Sequence, residues 1–135
     1  MIGRLAAGLG AGIISLTAVF AQESPSIGYE SVAAALDALS LDPGIDIREE
    51  AGWTTADVRE GDDIVLWTFT SSIHAAHPSA IKRIMYRQGE SRVLEMKVLC
   101  EAEQAACDEL VKEFQDLNDR LRRRMAAAEE PDAQE

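Results

Sequence analysis

The run Ile64-Val65-Leu66-Trp67-Thr68-Phe69-Thr70-Ser71 constrains this chain's fold more than any other stretch. Side chains alternate across a strand, so Val65, Trp67 and Phe69 take one face while Ile64, Leu66 and Thr68 take the other. Apolar groups on both faces suit a strand in the middle of a sheet rather than at its edge. Neighbouring segments supply partners. Ile45 to Glu49 alternates apolar and polar residues, Ala51-Gly52 breaks it, and Trp53 to Arg59 is rich in threonine and valine before Glu60-Gly61-Asp62-Asp63 turns the chain. Further on, Ala80 to Arg87 and Arg92 to Leu99 flank Gln88-Gly89-Glu90-Ser91, which has the composition of a tight hairpin. In the last of these segments Leu94, Met96 and Val98 face one way and Glu95 and Lys97 the other, which predicts one wet side. About five antiparallel strands in a meander result.

Helical spacing brackets these strands. Tyr29, Val32, Leu36 and Leu39 recur at three and four residues until Asp42-Pro43-Gly44, where proline cannot continue the hydrogen-bond ladder. From about Glu101 a longer helix is predicted, with Cys107, Leu110, Phe114, Leu117, Leu121 and Met125 on one side. Arg120, Arg122, Arg123 and Arg124 near its end suit the helix dipole and read as a solvated helix terminus. Each helix carries one apolar stripe. The predicted fold class is therefore α+β, a two-layer sandwich with both helices packed on one sheet face. Trp67, Phe69, Leu94, Met96, Leu110, Phe114 and Leu117 are its expected core. No internal repeat is visible.

Residues 1–21 show the order of a secretory signal peptide: Arg4, an uncharged stretch from Leu5, and a small-residue end at Val19-Phe20-Ala21. Cleavage after Ala21 leaves 114 of the 135 residues, enough for one domain. A linker at 22–27, a single domain at 28–125 and a disordered acidic tail at 126–135 complete the predicted organisation. The predicted location is the periplasm or the outside medium, without stable membrane insertion. Losing Arg4, the one charged residue of the leader, takes the net charge from −11 to −12. Such a surface repels nucleic acid and anionic lipid and favours neutral or basic partners.

Charge is uneven along the chain. Acids dominate 22–63, whereas Lys82, Arg83, Arg87, Arg92 and Lys97 outnumber Glu90 and Glu95 in 82–97. Cross-strand complementarity within one sheet accounts for this, and a basic binding patch is the functional alternative.

Cys100 and Cys107 are the only cysteines, and export places them where disulfides persist. Within one continuous helix their Cα atoms would stand ~10 Å apart, beyond the ~7 Å reach of a disulfide. A bond requires Cys100 to lie outside the helix, which its position after the last strand allows. We expect a structural disulfide, stabilising by ~2 kcal/mol in the chain-entropy model, rather than a redox-catalytic pair.

Both histidines sit in Ile73-His74-Ala75-Ala76-His77-Pro78-Ser79. Neutral imidazoles at this spacing suit copper or zinc, but Pro78 argues for a turn, and the loop holds no further cysteine or carboxylate. A solvated connecting loop is the first reading, and a copper or zinc site at His74 and His77 is the alternative. His77-Pro78 matches the start of the His-Pro-Asp signature of J-domain co-chaperones, yet Ser79 replaces the acid and strands replace the flanking helices. Ser71, Ser72 and Ser79 offer nominal nucleophiles for a small hydrolase, without a Gly-x-Ser-x-Gly elbow or an assignable orienting acid. No glycine-rich phosphate loop is present.

From Trp67 through Met125, and especially in WTFT, HPSAIKR and VLCEAEQAACDELVKEFQDLNDR, the chain resembles a group of small exported proteobacterial proteins without an established activity. Some carry a chaperone label that these residues do not support. The resemblance implies export and a shared domain and supplies no catalytic residues. The expectation is a non-enzymatic domain that binds an envelope protein or peptide, using the loop at 72–79 and a helix-free sheet face bearing Lys82, Glu95 and Lys97.

Overall fold

The computed structural model describes residues 26–129. The predicted leader 1–21, positions 22–25 of the predicted linker and positions 130–135 of the predicted tail lie outside the described residues. The chain runs α1 (Val32–Leu41), β1 (Ile47–Glu50), β2 (Trp53–Glu60), β3 (Asp63–Phe69), β4 (Ser79–Gln88), β5 (Ser91–Cys100) and α2 (Gln104–Glu129). All five strands form one antiparallel sheet in the order β1-β2-β3-β4-β5, with the doubly apolar run at its centre as β3. This is the α+β meander that alternation and turn spacing predict.

The β1–β2 hairpin turns on Ala51 and Gly52, both with positive φ. Two-residue turns of this hand match the twist of the flanking strands. A side chain at Gly52 is disfavoured, because its φ is positive and a Cβ there would stand 2.8 Å from Ser71 Oγ.

Pairing register decides which side chains share a face. Ala56, Trp67 and Lys82 line up across β2, β3 and β4, in phase with Val65, Phe69 and Ala80. Against this face α1 packs Val32, Ala35 and Leu39, together with Ile27. One residue out of phase, Thr68, Ile81 and Val98 line up on the other side. There Leu110 and Phe114 of α2 pack with Ile81 and Ala76, flanked by Trp53, Met96 and Val98.

The helices therefore take opposite faces, not the single face expected from the sequence. A central strand that is apolar on both sides needs cover on both, and one helix cannot supply it. The expected core divides accordingly: Trp67 and Phe69 lie under α1, whereas Leu94, Met96, Leu110 and Phe114 lie on the α2 side. Leu117 is not core, being 38 % exposed. The buried line of α2 instead runs through Cys107, Leu110, Phe114 and Asn118. Asn118 donates from Nδ2 to Met96 Sδ at 3.2 Å, and its buried Oδ1 has no partner among the described residues.

Two domain boundaries also move. Ile27, assigned to the linker by sequence, is 2 % exposed and belongs to the α1 core. Ala126 to Glu129, assigned to the tail, continue α2, consistent with the high helix propensity of consecutive alanines.

One corner of the sheet ties both helices down. Cys100, the last residue of β5, is bonded to Cys107 in the first turns of α2, with Cα atoms 5.8 Å apart. The strand-to-helix break between them is what the spacing argument required. Adjacent Glu101 donates its backbone N–H to the Pro78 carbonyl at 2.9 Å. Its carboxylate Oε1 accepts the Val32 N–H at 2.8 Å, while Ser31 Oγ accepts from Ala34. A residue sixty-nine positions away thus completes the N-terminal cap of α1.

Trp67 anchors the α1 side, stacked on Phe69 with centroids 5.9 Å apart and meeting Tyr29 edge-on at 5.9 Å. Trp67→Ala is expected to cost about 3–5 kcal/mol, read as the shift of a urea unfolding midpoint; an unchanged midpoint refutes this core. Glu101→Ala should cost about 1 kcal/mol in the same assay, with Glu101→Gln recovering part of it through the retained acceptor oxygen.

Candidate functional site

Two turns build the loop between β3 and β4. The His74 N–H donates to the Ser71 carbonyl and the His77 N–H to the His74 carbonyl, both at 3.0 Å. The His77–Pro78 peptide is cis. His74 Nδ1 accepts the Ala76 N–H at 3.0 Å, so a neutral ring carries its hydrogen on Nε2. His77 Nδ1 lies 3.2 Å from the Thr70 carbonyl and 3.3 Å from Thr70 Oγ1, so Thr70 holds this ring whichever nitrogen carries the hydrogen.

The two rings also diverge. His74 packs edge-on against Trp53 with centroids 5.0 Å apart, on the α2 side. His77 lines a cleft of about 300 Å³ with Val32, Leu36, Phe69 and Ser72, on the α1 side. Among the described residues no three His, Cys, Asp or Glu side chains gather as a metal site. Ser79 Oγ donates to the Ala76 carbonyl, and no serine hydroxyl among the described residues bonds to either histidine.

Lys82, Glu95 and Lys97 share the α1 face, so the surface that carries them is not helix-free as expected. Lys82 and Lys97 are direct cross-strand neighbours. Lys97 Nζ stands 3.6 Å from Glu95 Oε1, and Lys82 Nζ lies 5.2 Å above the Trp67 ring. Both ammonium groups thus have partners within the sheet.

A larger concavity lies on the opposite face. Because α2 follows β4 and β5, it leaves the β1–β3 part of that face open. An open groove of about 700 Å³ results between the strands and the helix flank. Thr55 and Thr68, cross-strand partners, form part of its lining, with Trp53, Phe114 and Leu117 as its apolar walls. Trp53 and Phe114 lie 6.3 Å apart by ring centroids. His74 supports Trp53 from the loop, which joins the histidine loop to the groove. Glu50, Ala51, Glu113, Asp116 and Arg120 also line it.

Arg83 enters this groove from β4. Its cross-strand neighbours are Leu66 and Met96, and its guanidinium lies 5.5 Å from the Phe114 ring centroid. The buried Nε has no hydrogen-bond partner, and no carboxylate among the described residues forms a salt bridge with Arg83. Burial pushes the guanidinium below its ordinary pKa range, with Asp57 opposing more weakly. The Asp57 carboxylate is itself committed to Arg48 at 2.6 Å. A half-buried cation without a counter-charge contact costs the fold free energy; cation–π contact with Phe114 offsets part of that cost.

Sequence reasoning grouped Arg83 with the basic residues of 82–97 and did not single it out. The signal was present in the alternation of Ile81-Lys82-Arg83-Ile84-Met85, which puts Arg83 in phase with Ile81 and Met85 on the apolar side. Comparison with protein-family models, with curated proteins and with solved structures yields no match for this chain.

If Arg83 is held in the groove at the expense of stability, Arg83→Met should leave the unfolding free energy within about 1 kcal/mol of the parent or raise it. A loss of several kcal/mol would assign Arg83 a structural role.

Proposed function

We propose that this chain is an exported, non-enzymatic domain that binds a protein or peptide, with the α2-side groove as its binding site. One observation carries the reading: an open groove with aromatic walls contains Arg83, which has no salt-bridge partner among the described residues. Concave sites with aromatic walls and a few placed polar groups are the usual form of binding pockets, and about 700 Å³ lies within their range. The signal-like leader supports export to the periplasm or beyond, and the Cys100–Cys107 bond suits an oxidising compartment. No helix among the described residues is long and apolar enough to cross a membrane. The excess of acids over basic residues favours a neutral or basic partner.

Site-specific photo-crosslinking in the exporting cell tests this reading. A photoreactive residue at Leu117, on the groove wall, is expected to give one discrete adduct that disappears when Thr55→Trp fills the groove. The same probe at Lys97, on the α1 face, should give none. Adducts from Lys97 alone would move the site to that face, and no adduct from either position would count against a binding role.

A further inference from the structure

We infer that the groove receives the C-terminal end of a peptide, with its terminal carboxylate on Arg83 and its last side chain against Trp53, Phe114 and Leu117. This rests on the groove being the binding site.

The first requirement is an anion. Arg83 has a planar fork of donors: its Nε is closed to solvent, its two Nη groups are the donors a ligand can reach, and no carboxylate among the described residues is in salt-bridge contact with it. A carboxylate matches that fork in two parallel hydrogen bonds. Asp57, the acid whose field reaches Arg83, is paired with Arg48, and no carboxylate among the described residues stands in salt-bridge contact with Arg83.

The second requirement is a bulky apolar group beside that anion. The guanidinium lies 5.5 Å from the centre of Phe114, and Phe114 lies 6.3 Å from Trp53. The ligand must therefore present its carboxylate and its apolar surface within one residue's width. An internal Asp or Glu uses its own side chain as the acid, so a neighbouring residue must fill the aromatic wall from a different Cα. The last residue of a peptide carries both groups on a single Cα.

Charge at the groove edge sets the direction of approach. Glu50, Glu113 and Asp116 line the groove against Arg83 and Arg120, so acid beyond the one carboxylate is disfavoured and the residues preceding it should be neutral or basic. That polarity agrees with the net charge of −11.

The test uses one heptapeptide library, randomised over its last three positions, synthesised once with free C-terminal carboxylates and once as C-terminal amides. Binding to the full chain is followed by tryptophan fluorescence. Trp53 lines the groove and Trp67, the one other tryptophan, is 4 % exposed, so the response reports on the groove. We expect free-acid peptides ending in a large aliphatic or aromatic residue, with amidation weakening them at least tenfold.

Arg83→Gln should weaken the free acid to the level of the amide and leave the amide unchanged. Arg83→Lys, which keeps the charge but not the fork, should fall between, and thermal melts of both variants establish that they fold. Lys97→Ala, on the other face, should change nothing. Peptides that bind equally as acid and amide, yet are blocked by Thr55→Trp, would overturn the C-terminal assignment and leave the groove as a peptide site. Binders that depend on an internal Asp or Glu would overturn it in the same way. No binder from either library, together with no crosslink from Leu117, would overturn both readings.

Discussion

At the end of β5, Glu101 caps the first turn of α1 while its neighbour Cys100 is covalently tied to α2. Both helices are thereby fastened at one corner of the sheet, on opposite faces. The corner is itself held by hydrogen bonds around Ser79, whose N–H donates to Thr70 Oγ1 and whose carbonyl accepts the Thr70 N–H. Glu101 then bonds to Pro78 in the same loop, so the end of β5 cannot move independently of the β3–β4 connection. The histidine loop is therefore a structural bracket as well as a connector. His77 is bonded into it through Thr70, and His74 reaches across to Trp53.

Where α2 is fastened determines what it leaves uncovered. Starting beside Cys100, it packs on the β5 side, and its buried line passes through Leu110, Phe114 and Asn118. Among the described residues no helix covers the β1–β3 part of that face, and Thr55, Thr68 and Trp53 line the groove that remains. On the other face the shorter α1 packs over Trp67 and Phe69. Placement of two helices of unequal length on two faces thus creates the groove, without any segment devoted to making it.

Arg83 is the place where local consistency breaks. Its neighbours across the sheet are Leu66 and Met96, positions where an apolar side chain would pack without desolvating a charge. Such breaks cluster where function competes with stability, which is why this residue, rather than the more exposed cations, carries the binding proposal. Lys82 and Lys97 looked more like a binding surface in the sequence, because alternation put them on a polar side. In the fold they serve the sheet, one over Trp67 and the other beside Glu95.

The five strands, the turns between them and the change from strand to helix after Cys100 are legible in the sequence, whereas their pairing order is read from the fold. The legible elements depend on local rules: a period of two, a period near three and a half, and turn residues between them. Ala51-Gly52 and Gln88-Gly89-Glu90-Ser91 marked hairpins that exist as marked. Only in the packed fold do α1 and α2 take opposite faces, Asn118 rather than Leu117 point inward, and Arg83 lie against Phe114. An apolar stripe records that a helix needs cover, but it does not record which of two apolar sheet faces provides it. That choice depends on the long-range capping of α1 by Glu101 and on the register of strands distant in sequence, neither of which leaves a local signature.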